Sequence, residues 1–239
     1  MIALFRSEFL KLRTTRTAVV LALGLLAISA VAIVAVLIVS EALDASVQGD
    51  ISGAAGFSVL FAILFGILVM TGEFRHGTAT PTFLASPQRE RVVIAKALAA
   101  LAGGFALALM ALVVVYLIAV TWLLVTGESI FLFDEDALRS VAGLLAASAI
   151  WGALGVGVGA VVRSQVGAMI GALVYFLILE GLIGALLSDI SPYLPGAALE
   201  AIFEGSDELS SWAAAALSLG YAAAFCIAGA FVTARRDVS

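Results

Sequence analysis

Six long apolar runs alternate with five shorter polar segments along the chain. The runs cover residues 17–40, 53–72, 92–126, 141–162, 166–188 and 212–234. Each reaches the roughly 20 residues that a helix needs to cross a hydrocarbon core about 30 Å thick. The first run exceeds the roughly 7–15 apolar residues of a signal peptide, so it is expected to stay as an uncleaved span. The third is much longer than a span requires and is expected to tilt or to extend past the membrane. Gly103-Gly104 marks a weak or closely packed point within it. Ahead of the first run, Ile2, Phe5, Phe9 and Leu12 recur at helical spacing while Arg6, Lys11 and Arg13 fall elsewhere. That pattern predicts an amphipathic helix over 1–16 lying in the headgroup region. The alternative is a basic flank that only fixes orientation. The fold class predicted is an all-α integral membrane protein with six transmembrane helices. It forms one transmembrane domain over residues 1–239, with no soluble domain and no clear internal repeat.

Composition agrees with lipid as the main solvent. The chain is 63% hydrophobic and only 12% charged, about half the roughly 25% charge of soluble domains. Charge placement then orients the spans. An even number of spans puts both termini on one side. Eleven of the 12 Lys and Arg fall on that side, and only Arg139 lies opposite. Acids run the other way, with 12 of the 17 in the three connectors 41–52, 127–140 and 189–211. Excess Lys and Arg marks the cytoplasmic face. The expected location is the cytoplasmic membrane, with both termini inside and 189–211 outside. A net charge of −5 gives no reason to expect nucleic acid.

Catalytic motifs are sparse. There is no G-x-x-x-x-G-K-[ST] phosphate loop, so this chain alone is not expected to hydrolyse ATP. His76 and Cys226 are the only residues of their types. They are separated by three spans, which leaves no expected metal site, disulfide or nucleophile–base pair. Cys226 reads as a small apolar residue and His76 as part of a polar loop.

That loop, 73–91, is the most structured polar stretch. Gly77-Thr78 can end one helix and cap another, Ala79 to Ala85 can form a short helix, and Ser86-Pro87 stops it. The geometry expected is a span, a short crosswise helix and the next span. Positive-inside bias alone would explain the charges but not this punctuation. The sequence E-F-R-H-G-T, then F-L-A-S-P, then R-x-R with Lys96 beyond, resembles the coupling-helix loop of type-2 ABC transporter permeases. The N-terminal F-R-S-E-F-L-K-L-R-T and the S-P-Y-L-P-G at 191–196 extend the resemblance over the whole chain.

The resemblance implies a permease subunit that pairs with a second permease, as a homodimer or a heterodimer. Two copies of a separate ATP-binding subunit would dock below the membrane. The cytoplasmic coupling helix, about 78–87, would sit in a cleft on that subunit. Glu73, Arg75, Thr78, Phe83, Leu84, Pro87, Arg89 and Arg91 would form the docking loop. No cofactor would bind this chain, and ATP with magnesium would belong to the partner. Segment 189–211 would be an outer, partly embedded hairpin closing the exit. Efflux of an amphipathic or hydrophobic substrate is the default direction.

Glu180 is the one acid inside a span. A carboxylate in lipid is costly and by default points to function. It could line the pathway, take a proton or contact a cationic substrate. It could also lie nearer the outer interface, or bond a neighbouring helix. Gly155/Gly159 and Gly167/Gly171 are each spaced i, i+4, which suits close backbone approach. The reading preferred is packing within the hairpin of spans four and five rather than a dimer seam. Trp122, Trp151 and Trp212 read as interface or packing residues. Two other classes stay open: a self-sufficient secondary transporter using Glu180 as its ion or proton site, and a non-transporting scaffold. An intramembrane enzyme lacks a catalytic set.

Overall fold

The computed structural model describes residues 16–39, 50–75, 89–127 and 135–235. All regular structure among them is helical. Six helical stretches are long and apolar enough to cross a membrane. A helix satisfies its own backbone groups, which is the condition for crossing lipid. The chain is a multi-pass membrane protein.

Span one is α1 (Arg16–Val39) and span two is α2 (Phe57–Arg75), the latter entered through a tight turn at 53–56. Span three is a single helix, α3 (Arg89–Thr126). Its 38 residues would measure about 57 Å at 1.5 Å per residue, so it outruns the hydrocarbon core. Gly127, in the left-handed conformation at φ 75°, ends it, as glycine commonly does past a helix C-terminus. Span four is α4 (Glu135–Val162), which starts six residues before the expected 141. Arg163 at φ 59° turns the chain. The Ser164 hydroxyl then accepts from the Gly167 N–H at 3.2 Å and caps span five. Span five comprises α5 (Gln165–Val174), a π-helical turn (Tyr175–Leu179) and α6 (Glu180–Leu186). A 3-10 segment (Ser188–Tyr193) and α7 (Pro195–Phe203) lead to span six, α8 (Ser211–Arg235). The interfacial helix expected over 1–16 lies outside the described residues, apart from Arg16, which opens α1. The crosswise helix expected over about 78–87 lies wholly outside them.

α4 sits at the centre, packed on α2, α3 and α8, with lesser contact to α7. Its small residues explain this. A methyl group on Gly66 or Gly152 would meet the backbone of a facing helix, α4 in the first case and α3 in the second. Gly104 of α3 lies against the Ser148 carbonyl, and Gly157 lies against Phe225 and Cys226 of α8. Close backbone approach of this kind is the main source of helix association in lipid, where burial of apolar surface gives little. Gly103-Gly104 is therefore a point of close packing rather than a weak point.

Of the two glycine pairs, only Gly167, against Val162 and Ser164, packs within the hairpin of spans four and five. Gly155 and Gly159 face Ile63, Ile67 and Met70 of α2, and Gly171 has open space beside it. Spacing identifies the thin face of a helix but not the neighbour that covers it. Trp151 is buried and rests on Phe176, with ring centroids 4.2 Å apart. Trp212 is 88% exposed at the start of α8, where an interfacial anchor would stand.

Contacts between glycines and their neighbours also fix helix direction. α2, α4 and α8 run parallel, with 63 beside 155, 67 beside 159 and 160 beside 229. α3 opposes them, with 103 beside 65 and 152 beside 100. This places Arg75, Arg89, Arg91, Lys96, Arg163 and Arg235 at one end of the bundle, and Arg139 at the other. At that far end Arg139 pairs with Glu135 and Asp136 of its own helix, at 3.5 and 3.6 Å.

Threonines within the spans bond their own helix. Thr71, Thr121, Thr126 and Thr233 each donate to the carbonyl four residues back. Ser58 of α2 and Ser148 of α4 bond each other at 3.0 Å. Most large apolar side chains of α1 face outward, leaving only the stripe Leu25, Ser29, Ile33 and Leu37 buried. A soluble protein could not expose such a surface.

Candidate functional site

Span five changes its helical geometry just before its acid. The Glu180 N–H donates to the Tyr175 carbonyl, five residues back rather than four. Such a π turn adds a residue to one turn and re-aims the rest of the helix, and it is common at functional sites. Here it delivers Glu180 to the start of α7. Glu180 is 9% exposed. Its Oε1 accepts from the Ala197 N–H at 2.8 Å.

Ala197 is the third residue of α7, whose N-cap, Leu194, has no capping side chain. The first turn of any helix has N–H groups without intrahelical partners and carries partial positive charge. Pro195 has no N–H to satisfy. Glu180 supplies the missing cap from another helix. It can do so because residue 196 is glycine: a β-carbon there would lie 2.7–2.8 Å from the carboxylate. The other oxygen, Oε2, is buried without a hydrogen-bond partner. A second bond holds the connector: the Tyr221 hydroxyl of α8 donates to the Tyr193 carbonyl at 2.7 Å.

Glu180 lines a cavity of about 690 Å³ between the start of α2, the middle of α4, span five and α7. Phe57, Trp151, Phe176 and Phe203 provide aromatic wall, and Glu200 and Glu204 stand with Glu180 as its charged residues. A neighbouring cavity of about 450 Å³ shares Glu200 and Glu204 and adds Glu208. Among the described residues, no Lys, Arg or His lines either space. Partial desolvation at the cavity wall first, then the Glu204 and Glu180 carboxylates, push the Glu200 carboxyl above its ordinary range, although the residue keeps an exposed face. No trio of His, Cys, Asp or Glu among the described residues could hold a metal ion.

The described backbone positions expected in the docking loop lie away from this cavity. Glu73 and Arg75 lie in the last turn of α2, Arg89 opens α3, and Arg91 is exposed in its first turn. Thr78, Phe83, Leu84 and Pro87 lie outside the described residues. Glu180 is fifteen residues into span five, about 23 Å along the helix, toward the opposite end of the bundle. Lys96, expected in the third span, stands about two turns into α3. It is 1% exposed, and its ammonium donates to the Val69 carbonyl of α2 at 3.2 Å.

Sequence reasoning passed over Glu200, Glu204 and the aromatic wall. One signal was present: two acids at i, i+4 within the otherwise apolar P-G-A-A-L-E-A-I-F-E, just after a Pro-Gly helix start. Nothing in Y-F-L-I-L announces a π turn.

A family model described as "Protein of unknown function (DUF2705)" matches residues 39–239, and the chain belongs to that family. No curated protein matches it.

Proposed function

We propose that this member of the family is the permease subunit of an ATP-driven exporter, working as a dimer and moved by a separate ATP-binding subunit. The observation that carries the reading is the connector between spans five and six. It is a 3-10 segment and a helix folded onto α4 and α8, and pinned by Glu180 and Tyr221. A plain extramembrane loop would need no such anchoring. A packed hairpin over a cavity is what the resemblance to type-2 ABC permeases implies for an exit gate. The charge arrangement supports the same reading. Six of the eight described Lys and Arg fall at one end of the bundle, the end where 73–91 leaves α2 and enters α3, and Arg139 lies at the other. That end would face the cytoplasm, and an ATPase would dock there on the coupling helix. ATP and magnesium would be held by the ATPase, and this chain would contribute no catalytic group.

A second reading has one observation in its favour. Glu180 stands in a span interrupted by a π turn and lines a cavity, as an ion or proton site of a secondary transporter would. The two readings separate on the docking loop. Under the exporter reading, the tagged chain purified in mild detergent carries an ATP-binding subunit. Replacing Phe83, Leu84 or Arg89 with alanine releases that subunit without affecting membrane insertion. Association unchanged by all three substitutions would refute the coupling-loop assignment.

A further inference from the structure

The cavity around Glu180 has a chemistry of its own, separate from any ATPase. At about 690 Å³ it falls within the roughly 300–1,000 Å³ of small-molecule sites. Its charged groups are all acidic, and one of them is unusual. The Glu180 side chain is more than nine-tenths buried, lines the cavity, and keeps one oxygen, Oε2, without a partner. Oε2 itself lies beneath the cavity surface, so the carboxylate would act on a ligand through its charge, which counts for more in a low-dielectric wall than in water. The N-terminus of α7 offsets part of the negative charge through Oε1, but no side-chain cation among the cavity-lining residues neutralises the rest. Phe57, Trp151 and Phe176 line the same cavity. Aromatic faces attract organic cations and suit quaternary ammonium groups. They offer nothing to a hydrated inorganic ion, which needs oxygen ligands in number. Glu200 and Glu204 sit where the two cavities meet and would raise the local concentration of any cation entering.

We infer that this cavity binds a hydrophobic organic cation, with its positive centre against Glu180 and its apolar body against the aromatic wall. Transport of that ligand rests on the exporter reading; binding does not. An ammonium group could come from a free amphiphile or from a lipid such as phosphatidylethanolamine, and the free amphiphile is the ligand inferred.

The test is saturable binding of radiolabelled tetraphenylphosphonium to the purified full chain in detergent, with no ATPase present. Wild type is expected to bind saturably. Excess benzyltrimethylammonium should displace the probe, whereas its neutral carbon isostere, millimolar calcium and phosphatidylethanolamine should not. Glu180→Gln keeps an acceptor for Ala197 and should weaken binding about thirtyfold or more. Glu200→Gln and Glu204→Gln should each weaken it by about two- to fivefold, as more exposed charges do. Gly181 lines the cavity with open space beside it, so Gly181→Phe should abolish binding by filling the site, even if Glu180→Gln fails to fold. Absence of saturable binding would overturn the inference. So would equal affinity in Glu180→Gln and Gly181→Phe, displacement by calcium, or displacement by phosphatidylethanolamine. Wild-type chain that copurifies with no ATP-binding subunit yet binds the probe would refute the exporter reading alone.

Discussion

Glu180 does two things with two oxygens, and the pair of substitutions that separates them is informative. Oε1 satisfies the Ala197 N–H at the start of α7. Glu180→Ala leaves that N–H unpaired in a half-buried place and should cost about 1–3 kcal/mol of stability. Glu180→Gln keeps an acceptor and should melt close to wild type. Thermal unfolding in detergent checks both. Glu200 gives a pH signature. Its carboxyl is held above the ordinary range by partial desolvation, then by Glu204 and Glu180. The folded state therefore binds this proton more tightly than the unfolded state. Its contribution is fully present below the unfolded pKa and is lost as pH rises through the folded one. Glu200→Gln removes that loss. The variant should match wild type at low pH and melt higher above the window, with the gap opening between the two pKa values. A melting gap independent of pH would contradict the assignment.

Between elements, the thin faces of α4 decide the packing. A methyl on Gly155 would run into the Ile63 carbonyl of α2, so Gly155→Ala should destabilise by about 1–3 kcal/mol, as overpacking does. Gly171 has open space, and Gly171→Ala should be neutral or stabilise by up to about 1 kcal/mol through helix propensity. The contrast, read from melting curves, tests the finding that the Gly155 face of α4 is covered by α2 rather than by span five. Here the limit of the sequence is physical. Glycine at i, i+4 shows where a helix is thin, and both pairs look alike in that respect. What differs is the facing helix, set by the whole bundle. Lys96 shows the same limit. Its place in the third span was legible, but not the carbonyl inside the bundle that its long chain reaches.

For the molecule as a whole, the six spans were legible because length and apolarity alone decide what can cross lipid. The separation of charge was equally legible, since it depends on position and not on contacts. The cavity was not. It is assembled from residues 53–60, 151, 176–185 and 191–204, and only the π turn and the folded-back α7 bring Glu180 to Ala197. Single cysteines introduced on a Cys226→Ala background test the orientation. Those within 76–88 should react with an impermeant thiol reagent only in inverted vesicles, and those near Ser206 only in intact cells. The reverse pattern would invert the account. The most direct measurement of the central claim is transport in sealed vesicles made with the purified chain, with and without its ATP-binding companion. The account predicts that a hydrophobic cation moves only when the companion and ATP are both present. Movement by the chain alone, driven by an ion gradient, would contradict it.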